Sequence, residues 1–138
     1  ASEKAFLPMA FEPSGLYEYA ATVSNYPAGI YDGDTFRLDI DSGFRRWMMA
    51  AKCRLADVNC PAIKGSERPA GLAARDRVRA LLAPPVELRI RPRAADPVKY
   101  GRYLVDVAFR PYPPADDPEQ WHDLGDVLIS EGHAVPYP

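Results

Sequence analysis

Three short stretches of the chain hold the residues able to do chemistry. They are Asp32-Gly33-Asp34-Thr35, Arg54-Leu55-Ala56-Asp57-Val58-Asn59-Cys60-Pro61 and Lys99-Tyr100-Gly101-Arg102. Carboxylate and amide oxygens are ligands for hard cations such as calcium. Arginine presents a fixed fork of donors that grips phosphoryl oxygens two at a time. Groups of this kind suit a reaction in which negative charge grows on a phosphate while a water is activated. Transition-metal chemistry is not indicated. Cys53 and Cys60 match no zinc spacing, and His122 and His133 lie far along the chain. Both cysteines are expected to be small packed residues.

The elements that must position these residues follow from periodicity and turn chemistry. Residues 1–15 carry Pro and Gly without periodicity and predict an irregular arm ahead of a single domain over 16–138. Tyr17, Tyr19 and Thr22 favour a strand from Leu16 to Val23. Thr35 to Ile40 alternates apolar and polar residues and predicts a half-buried strand. Asp41-Ser42-Gly43 predicts a hairpin turn, with Phe44 to Val58 as the returning strand. Pro61 then ends the ladder, since it has no N–H to donate. After a loop to Gly71, Leu72 to Ala83 reads as an amphipathic helix, with Arg75, Arg77 and Arg79 as its solvated face. Val86 to Arg91 alternates strictly, and Tyr103 to Phe109 is its expected hairpin partner. Pro111 to Pro118 is a Pro- and Asp-rich loop, and Leu124 to Ser130 a short helix stopped at Gly132. The fold class is therefore α+β, mainly β. Five strands with an interposed helix suit a five-stranded OB-fold Greek-key barrel with two or three helices; a ferredoxin-like sandwich is the other arrangement of these elements.

In this order and at these separations, the three stretches resemble the staphylococcal nuclease (thermonuclease) family. The similarity runs from about Tyr17 to Val135 and includes the Leu124–Ala134 helix. The hairpin Asp41-Ser42-Gly43-Phe44-Arg45 is more similar to the phage and environmental branch than to the secreted bacterial enzymes. The resemblance implies an OB barrel and calcium-dependent hydrolysis of DNA or RNA. It places Asp34 at the first calcium carboxylate, Asn59 at the second and the Cys60 carbonyl at the third ligand position. It also makes Arg54 and Arg102 the phosphate-clamping arginines, and Lys99 and Tyr100 the lining of the nucleotide site. Thr35 supports the calcium aspartate, and Asp32 reads as a turn residue.

Two positions depart from the family pattern. The residue after Pro61 should be a glutamate acting as general base, and here it is Ala62. A methyl group accepts no proton, and loss of a general base costs about a hundred- to ten-thousandfold. Asn59 keeps an oxygen but removes a negative charge, which weakens calcium binding. Glu67, five residues further on, is a carboxylate that could stand in. Plainer structural roles compete for the rest: Arg54 pairing with Asp57 or Asp106, Arg102 capping a strand, Tyr100 at a core edge.

Composition sets the remaining bounds. With 17 basic and 19 acidic residues the chain carries a formal charge of −2, which argues against a general nucleic-acid binder. Its basic residues lie between Arg37 and Arg110 apart from Lys4, and beyond Arg110 the charged side chains are acidic. No apolar run is long enough to cross a bilayer, so no membrane partner is expected, and the compartment is open. Three functions fit. The first is a slow nuclease. The second is a retired nuclease fold serving as an interaction module, for example among virion or assembly proteins of a phage particle. The third is a non-catalytic nucleic-acid reader.

Overall fold

Alternation of buried and exposed side chains builds most of the molecule. The computed structural model describes residues 17–94, 96–112 and 117–137. The expected arm over 1–15 and the middle of the 111–118 loop lie outside the described residues. In chain order the strands are β1 (Tyr19–Val23), β2 (Thr35–Gly43), β3 (Arg46–Leu55), β4 (Val58–Asn59), β5 (Glu87–Pro92), β6 (Tyr103–Arg110), β7 (His122–Asp123) and β8 (Val135–Pro136). Helix α1 covers Arg68–Leu81 and α2 covers Leu124–Ser130.

Five of these strands close on themselves. β1 pairs antiparallel with both β2 and β5, β2 with β3, and β5 with β6. The ring is completed by a parallel pairing of β3 with β6, in which Arg54 lies opposite Leu104. Closure removes the open edges that a flat sheet would leave. The fold is α+β, mainly β. Inside the ring sit Phe36, Leu38, Leu55, Ile90, Val105, Val107 and Phe109, each at most 2% exposed. Every such large side chain contributes about 1.5–3 kcal/mol of burial. Val78, Leu81 and Leu82 of the α1 region, with Leu124 and Leu128 of α2, join the same core.

The structure corrects the sequence-based boundaries at two places near the site. The β2–β3 turn falls on Phe44 and Arg45, not on residues 41–43. Both adopt left-handed backbone angles (φ 54° and 60°), as a two-residue hairpin turn twisted to match its strands requires. Gly43 is instead the last β2 residue, paired with Arg46. The returning strand also stops at Leu55, because Asp57 at φ 68° turns the chain before the separate strand β4. Helix α1 begins at Arg68, four residues before the expected Leu72. Pro69 accounts for this, since it lies in the first turn where no N–H partner is available.

The arginines of α1 are not simply a solvated face. Arg77 donates two hydrogen bonds to Glu131 (2.6 and 2.9 Å), and the Tyr112 hydroxyl donates a third at 2.7 Å. Arg79 donates to the Ile30 carbonyl at 2.8 Å. These contacts fix α1 against the end of α2 and the chain ahead of β2. Chiefly through the Arg77 hydrogen bonds, the Glu131 carboxyl is held down at about 2 against an ordinary 4.5. A lowered folded-state value adds stability that is complete above about pH 4.5 and disappears as the pH falls towards 2. Glu131→Gln is therefore expected to lower stability at pH 7 by about 1–2 kcal/mol, allowing for solvent screening. Melting curves of the two proteins should converge only as the pH falls to about 2. Equal melting temperatures at pH 7 would contradict this role.

Candidate functional site

The loop between β1 and β2 places the first carboxylates. Tyr31 and Asp32 donate their N–H groups to the Thr35 carbonyl, and the Asp34 N–H donates to Asp32 Oδ1 at 3.1 Å. That last contact is a side-chain-closed turn, the role expected of Asp32. Gly33 lets the turn press on the residue just past β4: a Cβ there would lie 2.7 Å from Cys60 Sγ. Glycine is thus required by space at this position.

Asp34 is only 6% exposed, and both its oxygens are engaged. Oδ2 accepts from the Cys60 N–H at 2.8 Å, and Oδ1 accepts from the Thr35 hydroxyl at 3.2 Å. Arg54 Nη2 lies 3.5 Å from the same Oδ2. Arg54 also donates to the Leu55 and Val58 carbonyls (2.6 and 2.9 Å) and to Asn59 Oδ1 at 3.4 Å. Its guanidinium stands 5.8 Å from the centre of the Tyr137 ring. Strand β8 brings Tyr137 there by pairing with β4, with Val135 opposite Asn59. Asp34, Thr35, Arg54, Asn59 and Cys60 thus form one hydrogen-bonded cluster. The alternative pairing of Arg54 with Asp57 or Asp106 does not occur, because both carboxylates face Arg93.

Charge in the cluster is unevenly matched. Burial, and then the neighbouring Asp34 charge, push the Asp32 carboxyl up to about 6. Two carboxylates lie close together while the Arg54 guanidinium reaches Asp34, an arrangement that favours a further positive charge. Among the described residues no group of three or more His, Cys, Asp and Glu side chains gathers to hold a metal. The oxygen donors at the cluster are the Asp34 carboxylate and the Asn59 amide, each already accepting a hydrogen bond, and oxygen donors of this type fit a hard cation. Burial pushes the thiols of Cys53 and Cys60 up to about 12. Neither is a nucleophile or soft-metal ligand at neutral pH.

The second arginine lies beside this cluster. Lys99–Gly101 forms a 3₁₀ turn in which Tyr100 takes a left-handed φ of 62°. Arg102 leaves the turn, donates Nε to the Lys99 carbonyl at 3.3 Å and lies 5.4 Å from the Tyr100 ring centre. Tyr100 is 79% exposed, so it is not a core-edge residue. Arg102 lines a cavity of about 240 Å³ together with Thr35, Arg37, Lys52 and Tyr31. Thr35 joins the two halves: it lines this cavity and pairs with Arg54 across β2 and β3.

Position 62 is firmly held. The Ala62 side chain faces solvent, and its N–H donates to Glu67 Oε1 at 3.3 Å. Arg68 Nη1 donates to the Ile63 carbonyl at 2.9 Å. Gly71 of α1 packs so close that a Cβ would lie 2.0 Å from the Ala62 carbonyl oxygen. The Glu67 carboxylate is therefore drawn back to the Ala62 segment and bound to a backbone N–H. Arg37, Lys52, Tyr31 and Tyr137 were not among the expected site residues. The first two carried a signal, since they sit two residues from Thr35 and Arg54 on alternating strands. No protein-family model matches the chain, and no curated protein does.

Proposed function

We propose that this chain is a staphylococcal-nuclease-like domain on an OB-type Greek-key barrel, gripping a nucleic-acid phosphate and cleaving the strand slowly. The observation that carries the reading is the Asp34 carboxylate, locked by the Cys60 N–H and facing Arg54, next to a cavity bordered by Arg102. Calcium held by Asp34 and the Asn59 amide would polarise a phosphoryl oxygen. Arg54 and Arg102 orient the phosphate and neutralise charge growing on it. Lys99 and Tyr100, on the exposed turn, meet the neighbouring nucleotide. The slow step is water activation, because Ala62 offers no base and the Glu67 carboxylate is spent on a backbone N–H.

Incubating the protein with labelled single-stranded DNA or RNA and calcium tests the proposal. Slow cleavage is expected, lowered about a hundredfold or more in Arg102→Ala. Equal rates for the native and substituted proteins would remove the clamp from the account. A second reading, a non-catalytic interaction module such as a virion component, is favoured by one feature. The β2–β3 tip presents Phe44 at 98%, Met49 at 67% and Trp47 at 49% exposure, an unusual apolar display for a surface turn. No cleavage at micromolar protein with calcium would leave that reading in place of the first.

A further inference from the structure

Beyond the clamp, the outer face of the β2–β3 hairpin carries a second set of cations. Arg37 lies opposite Lys52 in the ladder, one rung beyond Thr35 opposite Arg54. The intervening Phe36 and Cys53 are buried, so both rungs project to the same outer face. Successive rungs on one face are about 6.6–6.8 Å apart along the strand. Arg37 and Lys52 border the 240 Å³ cavity with Arg102, and among the described residues no carboxylate lines it.

What sets these three cations apart is that they border one cavity without a carboxylate among its described lining residues. Arg77, Arg91, Arg93 and Arg110 each meet a carboxylate. Among the described residues Arg37, Lys52 and Arg102 form no ion pair; Arg37 and Arg102 only donate to the Ala50 and Lys99 carbonyls. Three unneutralised cations around one concavity favour an anion. Tyr31, 49% exposed on the same cavity, offers a ring face to a sugar or base.

We propose that Arg37 and Lys52, with Arg102 and Tyr31, form a second phosphate subsite that takes the next phosphate of a single strand held at Arg54. This rests on the nuclease-type reading above. The spacing of the two rungs, one directly beyond the other on a common face, favours a continuous strand over an isolated anion.

The test compares affinities for a nucleoside monophosphate, a single-stranded trinucleotide and inorganic phosphate, in the native protein and in Arg37→Gln/Lys52→Gln. In the native protein, lengthening from one phosphate to three is expected to tighten binding about tenfold, as one charge-assisted contact allows. That gain should vanish in the double variant, and the slope of log affinity against log salt should fall by about 0.7. Both positions are exposed, so matching melting curves establish that the variant is folded. A native-like length gain in the variant overturns the subsite and leaves the nuclease reading intact. Inorganic phosphate binding as tightly as the trinucleotide overturns the strand as occupant. Failure of the native protein to bind any of the three removes both the subsite and the reading beneath it.

Discussion

Placing a glutamate at position 62 is expected to raise calcium-dependent cleavage about a hundred- to ten-thousandfold, the usual worth of a general base. The substitution Ala62→Glu suits the site physically. The side chain of Ala62 already faces solvent, so four added heavy atoms displace no core packing. The backbone that carries it is pinned by Gly71 of α1 and by Arg68, which limits wandering of the new carboxylate. Such pinning matters because catalytic groups must be held to about half an ångström. Glu67→Gln combined with Ala62→Glu is the control, since it removes the carboxylate now bound to the Ala62 N–H. A rate no higher than that of the native chain, in a variant that still binds nucleotide, would mean the surrounding groups are not arranged for hydrolysis.

The largest expected loss of stability follows from Arg93→Ala. Arg93 grips Asp106 with two hydrogen bonds (2.7 and 2.8 Å) and reaches Asp57 as well. Asp106 is 4% exposed on β6, while Asp57 occupies the turn between β3 and β4. One guanidinium thus fastens the turn leading to Asn59 and Cys60 onto the barrel wall. Removing one partner of a buried ion pair costs about 3–5 kcal/mol. The Arg93 side chain is 35% exposed, so screening reduces the expected cost to about 2–3 kcal/mol. For a chain of this size that corresponds to a fall of about 10 °C in melting temperature. Arg93→Lys should recover only part of it, because an ammonium cannot reproduce the fork. A melting temperature unchanged by Arg93→Ala would contradict the assignment.

How much of this was legible depended on whether the physics was local. β5 was readable because its alternation directly records one buried face, with Leu88 and Ile90 inside the ring. The ends of α2 were readable too. The Asp123 carboxylate accepts from the Asp126 N–H at the start, and Gly132 turns at φ 81° past the end. The β2–β3 turn was misplaced because Gly43 draws any local reading, whereas Phe44 and Arg45 rarely take left-handed angles. Arg77 and Arg79 looked like a solvated face because their partners, Glu131 and Ile30, lie about fifty residues away. In the site, Asp34, Arg54 and Asn59 came forward through the resemblance of the three motifs to the nuclease family. Arg54 is also held locally by the Leu55 and Val58 carbonyls, but its cover by Tyr137 depends on β8 crossing back to β4. No sequence pattern near Arg54 announces that crossing.

The most direct test of the central claim is a calorimetric titration of a nucleoside monophosphate into the protein with calcium present. The native chain and Arg54→Gln/Arg102→Gln would be compared at low and moderate salt. The native chain is expected to bind saturably, with affinity that weakens with salt, and the double variant to show no measurable binding. Equal affinity in the two proteins would show that a nucleotide phosphate is held elsewhere, and the corner formed by Asp34, Arg54 and Arg102 would not be a phosphate site.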